Sequence, residues 1–329
     1  MFERGVLINP FFFVIFFINF NRNLPMLINF KEQLDKLNQV RTGKIKEGLK
    51  LNCPSLDEHI RFKRNNFNVI LGHANVGKTT VILYLMLLYT LRHNIRWLVY
   101  SSENEAYSLI RKLCEYICCE PINKINKVKL DKSAEYVDSH FKFVNVDKLY
   151  SYKDLLDLAE NIKKAWDYDG LLVDPYNSLI KDKEVLKGIN SHEYDYQATS
   201  EIRLFCKKNN VTVWLNTHAA TEALRKKHGK GDYYEGHPIP PMASDVEGGG
   251  KFVNRADDFF VIHRYIQHPT EWMYSMIHTR KIKDTDTGSR PTPIDNPIRL
   301  RSIINNVGFE IDGKNLIKDK PSEKKELPF

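Results

Sequence analysis

"LGHANVGKTT", residues 71–80, is the stretch that decides the fold of this 329-residue chain. From Gly72 to Thr79 it has the spacing G-x-x-x-x-G-K-T, the Walker A pattern of phosphate-binding loops. The apolar run 66–72 precedes it, and helix-forming residues follow from Lys78. A strand, a loop and a helix therefore stand in the order that such a loop requires.

This loop predicts a nucleotide site. Its glycines let backbone N–H groups surround phosphate oxygens, and the helix N-terminus adds a favourable field. Lys78 is expected to reach the β- and γ-phosphates, and Thr79 to bind Mg²⁺. ATP and Mg²⁺ are the expected ligands. The residues expected to contact them are Gly72, His73, Ala74, Asn75, Val76, Gly77, Lys78, Thr79, Thr80 and Asp174.

Two carboxylates follow apolar strand signals further along. Asp174 ends "GLLVD", just before Pro175, and is expected to complete the Mg²⁺ shell with Thr79. Glu103 follows "WLVYS", a strand expected to lie beside the P-loop strand, which would aim Glu103 at the γ-phosphate as the base for water. The alternatives for Glu103 are a solvated loop position or a helix cap, and Glu105 is its nearby competitor.

The segment after the strand "VTVWLNTH" is long, irregular and basic. His218 at the strand end is either a sensor of the γ-phosphate or a polar cap. Residues 219–250 carry cations followed by Tyr233 and Tyr234, which suits backbone contacts and base stacking on single-stranded DNA, although a solvated surface loop remains the alternative. The residues expected to bind nucleic acid are Arg225, Lys226, Lys227, Lys230, Lys251 and Arg255.

A second basic stretch, "HTRKIKDTDTG" at 278–288, lies near a predicted strand end. In a ring-shaped assembly its cations, Arg280, Lys281 and Lys283, would complete a neighbour's ATP site and act in catalysis with Lys78, Glu103 and His218. The alternative is a basic surface turn.

The order of elements predicts the architecture. Strands alternate with helices up to about residue 218, after which strands dominate. We therefore expect an α/β, RecA-like P-loop NTPase fold with a mostly parallel twisted sheet, flanking helices and antiparallel strands at the C-terminal edge. A net charge of +8 fits a polyanionic partner but does not require one. Five cysteines without a CxxC pair favour a reducing, cytoplasmic setting.

The N-terminus is unusual. Residues 5–20, "GVLINPFFFVIFFINF", are intensely apolar, yet at about 16 residues they fall short of the roughly 20 that span a bilayer as a helix. Three interpretations stay open: a membrane anchor, a docking segment, or residues upstream of a true start at Met26. The expected divisions are 1–29 as this apolar segment, 30–47 as a linker helix, 48–311 as the ATPase domain and 312–329 as a disordered polar tail.

Together these stretches resemble the RecA-like motor domain of DnaB-like and Twinkle-like ring helicases of superfamily 4. The motifs that carry the resemblance are "GLKLNCPSLDEHI" (48–60), "VYSSENE", "LLVDPYNSL" and the region from "LNTHAATEALRKK" through "EGGGKFVNRADDFFVIHR". The resemblance spans about 43 to 311. It implies Glu103 as the catalytic glutamate, His218 as the γ-phosphate sensor followed by a DNA-binding loop, and a "G-x-G…D…R" stretch at Gly248, Gly250, Asp257 and Arg264.

The resemblance also implies a phage-type replicative helicase: a hexameric ring on single-stranded DNA in the host cytoplasm, with a separate primase or polymerase as a possible partner and no membrane. Helix 30–42 would dock on a neighbouring subunit. The family's Lys-x-Arg finger before "TG" is here Lys281-Ile-Lys283, so the identity of the finger is open, and lysine is the poorer bidentate donor. The rivals are a RecA-type recombinase, which shares almost every motif, and a membrane-associated ATPase regulator.

Overall fold

The structure, a computed structural model, describes residues 27–44, 48–183, 185–285 and 289–318. The chain divides into two units, Met1–Glu47 and Gly48–Phe329. Helix α1 (Phe30–Arg41) belongs to the first unit, and the Asn29 side chain caps it by accepting a hydrogen bond from the Lys31 N–H at 3.1 Å. Among its exposed side chains are Phe30, Leu34 and Leu37, which recur at helical spacing and form one apolar stripe.

The second unit is built on one nine-stranded sheet with helices around it. Its strands are β1 (Phe67–Gly72), β2 (Trp97–Ser101), β3 (Phe141–Phe143), β4 (Gly170–Asp174), β5 (Thr212–His218), β6 (Asp258–His263), β7 (Tyr274–Ile282), β8 (Ile298–Ser302) and β9 (Phe309–Glu310). Its helices are α2 (Pro54–Asp57), α3 (Lys78–His93), α4 (Ala106–Cys118), α5 (Lys127–His140), α6 (Tyr152–Ala165), α7 (Ser191–Asn209) and α8 (Lys251–Arg255).

The strand order is β3-β2-β4-β5-β1-β6-β7-β8-β9. The strands from β3 to β6 in that order pair in parallel, and β7, β8 and β9 are added as antiparallel strands at one edge. This confirms the predicted mostly parallel sheet with an antiparallel extension. Helix α5 is an element that the sequence analysis did not anticipate, because only Ser133 and Val137 of its 14 residues are buried and its apolar pattern is weak.

The expectation that β2 lies beside the P-loop strand β1 is wrong, because β4 and β5 stand between them. Packing of large aromatic rings accounts for the position of β2. Trp97 on β2 pairs in register with Gly170 on β4, where a Cβ atom would come within 2.3 Å of the Trp97 ring, so only glycine allows this approach. Trp97 also packs edge-on against Trp214 of β5 at 5.0 Å.

Helix α3 lies in the core, with an unbroken buried run from Val81 to Thr90. A helix that is apolar on all sides fits a position between the sheet and other helices. Near the C-terminus, Leu316 and Ile317 are buried, and the Leu316 carbonyl accepts a hydrogen bond from Arg92 at 3.1 Å. Residues 312–318 therefore pack onto the domain, in contrast to the disordered tail expected from 312 onward.

The apolar segment 5–20 lies outside the described residues, so its three interpretations stay open. Within the part of the chain that the structure describes, no helix combines the length and hydropathy that a bilayer span requires.

Candidate active site

The P-loop joins the end of β1 to the start of α3. Asn75 and Gly77 both have left-handed backbone conformations, with φ of 60° and 84°, which bends the chain tightly around a central space. At Gly72 a Cβ would lie 2.5 Å from the Ile262 carbonyl oxygen. No described residue accepts a hydrogen bond from the backbone N–H groups of 74–80. This cradle of free donors at a helix N-terminus fits a phosphate group.

Lys78 is buried at the centre of this cradle, with 6 % of its surface exposed. Its Nζ donates hydrogen bonds to the carbonyl oxygens of His73 at 2.8 Å and Gly72 at 3.2 Å. Burial lowers the pKa of the Lys78 ammonium to about 8, while the nearby Asp174 and Glu103 carboxylates act in the opposite direction. A phosphate in the cradle would supply the negative charge that this buried ammonium lacks.

Asp174 and Thr79 form the second part of the site. Asp174 is fully buried at the end of β4, and its Oδ2 accepts a hydrogen bond from the Thr79 hydroxyl at 2.8 Å. Asn216 and Ser101 also donate to this carboxylate. Burial raises the pKa of Asp174, and the bonds from Asn216 and Thr79 oppose that shift. A hydroxyl and a carboxylate are hard oxygen ligands of the kind that Mg²⁺ takes in phosphate sites.

Glu103 and His218 face each other across the same edge. His218 pairs in register with Gly72 across β5 and β1. Its Nε2 lies 3.2 Å from Glu103 Oε1, and its Nδ1 lies 3.3 Å from Lys78 Nζ. Glu103 reaches this point from β2, two strands further away than expected, because the carboxyl ends of parallel strands meet at one edge. Glu105 occupies the N-cap position of α4 without a side-chain capping bond.

Asn177 is a site residue that the sequence analysis missed. Its Oδ1 accepts hydrogen bonds from the His218 backbone N–H at 3.1 Å and the Thr217 hydroxyl at 2.9 Å. Its Nδ2 donates to Glu247 Oε2 at 2.8 Å. Asn177 therefore ties the end of β5 to the glycine-rich turn at 247–250. The available signal was an amide three residues after a strand-end carboxylate, which is too common a pattern to single out.

The segment 219–250 is anchored by an aromatic cluster that its composition did not reveal. Tyr234 stacks on Tyr265 with ring centroids 3.9 Å apart, and His228 Nε2 lies 2.9 Å from the Tyr265 hydroxyl. The cluster continues through His263, whose ring lies 6.0 Å from that of His73 in the P-loop. A continuous row of rings thus runs from the P-loop to the basic segment.

The cations expected to bind nucleic acid differ in their surroundings. Arg225, Lys227 and Lys230 are exposed, and Lys226 is exposed in an ion pair with Asp245 at 2.6 Å. Tyr233 is 65 % exposed beside them, with its hydroxyl 3.1 Å from the Thr270 hydroxyl.

Lys251 and Arg255, on α8, face α7 instead. Lys251 is buried, with its Nζ 2.8 Å from His192 Nδ1 and 3.5 Å from Asp195. The Arg255 guanidinium lies 4.2 Å above the Tyr196 ring.

The cations of β7 lie at the opposite edge of the sheet. Since β7 runs antiparallel to β6, its C-terminal end lies at the edge where the parallel strands begin, away from this chain's own P-loop. Lys281 Nζ donates to the carbonyl oxygens of Val253 and Ala256, both at 2.7 Å. Lys283 forms an ion pair with Asp257 at 3.0 Å.

Arg280 and the remaining family-like positions have local partners or special geometry. Arg280 is half-buried, and no described residue bonds its Nε. Asp257 accepts a hydrogen bond from the Phe67 N–H at 3.0 Å. Gly248 has a φ of 94°, and Arg264 donates to the Trp272 carbonyl.

Comparison with solved structures identifies the fold. The ATPase domain of another protein superposes with a TM-score of 0.67 and 15 % identity, covering 85 % of this chain and 98 % of that one. A DnaB-like replicative helicase, solved for its interactions with primase, gives 0.65 and 14 %, covering 86 % of this chain and 66 % of that one. A KaiC-like protein from Pyrococcus horikoshii gives 0.51 and 13 %, covering 81 % and 97 %.

No family model matches the sequence, and no curated protein matches it. The chain has the RecA-like P-loop ATPase fold of DnaB-type motor domains, and at this level of identity the likeness shows the fold alone.

Proposed function

We propose that this chain is an ATP-driven motor that moves along single-stranded DNA, as the motor domain of a ring-shaped replicative DNA helicase. One observation carries the proposal: His218 contacts both Lys78 and Glu103, and the basic segment begins at the next residue. The same histidine can therefore respond to nucleotide chemistry and move a nucleic-acid contact.

The hydrolytic step follows from the positions of the side chains. Lys78 and the loop N–H groups hold the β- and γ-phosphates. Thr79 and Asp174 would hold Mg²⁺, which neutralises phosphate charge when bound. Glu103 takes a proton from water as the water oxygen attacks the γ-phosphorus. The bond from that phosphorus to the bridging oxygen breaks, and ADP and inorganic phosphate leave.

Coupling to movement rests on the short chain of contacts around His218. Loss of the γ-phosphate changes the charge next to Lys78 and thus next to His218. His218 is covalently joined to the basic segment, and Asn177 links its backbone to the turn at 247–250. A shift of His218 is therefore transmitted to both stretches, and the exposed cations change their grip on the DNA backbone.

Ring assembly is supported by two features on the second and first units respectively. The β7 cations lie at the edge opposite the P-loop, where they can reach only a neighbour's nucleotide in a head-to-tail ring. The apolar stripe of α1, with Phe30, Leu34 and Leu37 exposed, suits docking on another copy. We propose a hexamer, with a separate primase or polymerase as a partner.

Tyr233 is expected to stack on a DNA base. Replacing Tyr233 with Ala should weaken binding of oligo-dT by about 10- to 100-fold, because one base–aromatic stack contributes about 1–3 kcal/mol. Hydrolysis of ATP without DNA should stay unchanged. The measurement is fluorescence anisotropy of labelled oligo-dT. The matched control is Tyr233→Phe, which keeps the ring and loses only the contact with Thr270. Equal loss in both variants would contradict the stacking role.

Nucleotide affinity should fall with pH above about 8. The pKa of Lys78 is about 8 without nucleotide, and bound phosphate raises it because it favours the charged ammonium. Binding then takes up a proton, so the dissociation constant rises up to about tenfold per pH unit above the free pKa. Calorimetric titration of ATP into Glu103→Gln protein between pH 7 and 10 measures this slope.

The control for the pH dependence is Lys78→Arg in the same background. A guanidinium stays charged throughout this range, so the slope above pH 8 should disappear even if the affinity is lower. A slope that persists in Lys78→Arg would assign the titration to another group.

The recombinase alternative shares the ATPase residues and differs in the work performed. A forked DNA duplex with one labelled strand separates the two functions. The helicase proposal predicts ATP-dependent release of the labelled strand, blocked in Glu103→Gln. Strand pairing between homologous DNAs without fork unwinding would favour the recombinase. The membrane-associated regulator depends on residues 5–20, which the structure does not describe.

A further inference from the structure

We propose that Arg203 on α7, together with Lys283, supplies the cationic group that completes a neighbouring subunit's ATP site. This inference rests on the proposed function and assigns the arginine that is absent from the β7 end. The basis is a cleft of about 330 Å³ at the edge of the sheet opposite the P-loop, lined by four cationic side chains. These are Arg64, Arg203, Lys207 and Lys283.

One carboxylate holds two of these cations side by side. Asp257 Oδ1 accepts a hydrogen bond from Arg203 Nη2 at 2.8 Å and from Lys283 Nζ at 3.0 Å. The other oxygen of Asp257 accepts the Phe67 N–H at 3.0 Å, which fixes the carboxylate at the start of β1. Because Arg203 and Lys283 share one oxygen atom, they are immediate neighbours.

The Arg203 guanidinium retains donors for a further ligand. Its contact with Asp257 uses one terminal nitrogen, and no described residue bonds its buried Nε. A guanidinium has five N–H groups in a planar fork that matches two oxygens of a phosphate. Lys207 and Lys283 are exposed along the same cleft and add positive charge. The cleft therefore favours a phosphate-bearing anion.

The other cations at this edge are less available. Lys281 Nζ is held by the carbonyl oxygens of Val253 and Ala256 in its own chain. Arg64 forms an ion pair with Asp169 at 2.6 Å. A head-to-tail ring brings this edge of one subunit to the P-loop edge of the next, so the phosphate it meets is the γ-phosphate bound by the neighbour. Arg203 then stabilises the charge that develops during hydrolysis.

Replacing Arg203 with Ala should lower the kcat of DNA-stimulated ATP hydrolysis by about 100-fold or more, because a trans-acting arginine has effects of that size or larger. Binding of ATP to the subunit's own P-loop should change by less than about threefold. The matched control on the same helix is Lys208→Ala. Lys208 is exposed and pairs with Glu160, so its loss should leave kcat unchanged.

Mixing two inactive variants tests whether Arg203 acts in trans. Arg203→Ala subunits keep Glu103, and Glu103→Gln subunits keep Arg203. In an equimolar mixture about a quarter of the interfaces pair an intact Glu103 with an intact Arg203. We expect hydrolysis to recover in the mixture to a corresponding fraction of the wild-type rate. A structural role for Arg203 gives no recovery, which would overturn the inference.

A rescue variant gives a second readout. Lys283→Arg in the Arg203→Ala background places a guanidinium at the adjacent position in the cleft and should restore at least about tenfold of the lost kcat. No gain over Arg203→Ala would count against a charge-stabilising role. Wild-type protein that does not hydrolyse ATP would refute the proposed function. Active wild type with Arg203→Ala within threefold of it would refute this inference alone.

Discussion

Replacing Glu103 with Gln is expected to lower the kcat for ATP hydrolysis by about 100- to 10,000-fold while leaving nucleotide bound. General-base catalysis contributes rate enhancements of this order. Glutamine keeps the size of the side chain and can still contact His218 Nε2, now 3.2 Å from Glu103 Oε1, but it cannot accept a proton from water. Single-turnover hydrolysis of radiolabelled ATP and equilibrium binding of a fluorescent ATP analogue measure the two effects separately.

Glu105→Gln is the control for this prediction. Glu105 is exposed at the N-cap position of α4 and makes no capping bond through its side chain, so hydrolysis should stay within about twofold of wild type. A large loss in Glu105→Gln with little effect in Glu103→Gln would transfer the role of base to Glu105. Equal small losses in both would remove the carboxylate from the chemistry.

Replacing Asp174 with Asn is expected to abolish Mg²⁺-dependent hydrolysis, with a fall in kcat/KM of at least about 1,000-fold. Asp174 is the buried carboxylate that accepts the Thr79 hydroxyl at 2.8 Å, so it is the only fully buried acid beside the P-loop threonine within the described residues. An amide keeps the shape but removes the negative charge that a divalent cation requires.

The same substitution should leave the nucleotide-free protein about as stable as wild type. Burial raises the pKa of Asp174, so its charge is costly in the absence of a cation. Removing that charge offsets the hydrogen bond from Asn216 that an amide nitrogen cannot accept.

Thermal unfolding with and without Mg²⁺-ATP tests both halves of this prediction. Wild type should show a rise in the unfolding midpoint on adding the ligand, and Asp174→Asn should not. The surface control is Asp138→Asn, which loses only an exposed pair with Lys142 and should behave as wild type. A ligand-induced rise in Asp174→Asn equal to that of wild type would contradict the assignment of Asp174 to the Mg²⁺ shell.

Local patterns were sufficient to predict most elements of the fold. The P-loop, the strands ending at Gly72, Asp174 and His218, and the antiparallel edge all follow from short apolar runs with defined ends. The gathering of strand-end side chains at one edge follows from parallel pairing alone. Such features depend on residues close together in the chain, where periodicity and turn residues carry the signal.

Long-range packing could not be predicted in this way. The place of β2 beyond β4 and β5 depends on Trp97 lying over Gly170, a contact between residues far apart in sequence. The roles of Asn177 and Arg203 likewise arise from partners on other elements, Glu247 and Asp257. Neither residue belongs to a spacing pattern, so only the assembled structure reveals their positions.

Arg203 also changes how the departure from the family's finger motif is understood. A lysine at position 283 suggested slow turnover when taken alone. With Arg203 bound to the same Asp257 oxygen, the cleft still offers a guanidinium beside an ammonium. We therefore expect turnover to depend on both side chains rather than to be low.

The most direct test of the central claim is steady-state ATP hydrolysis by the full chain with and without single-stranded DNA. The account predicts that oligo-dT strongly raises kcat, that Tyr233→Ala shifts the stimulation to higher DNA concentrations, and that Glu103→Gln abolishes hydrolysis in both conditions. Hydrolysis that requires Glu103 but is indifferent to DNA at every concentration would contradict the motor function and leave only an ATPase with a different partner.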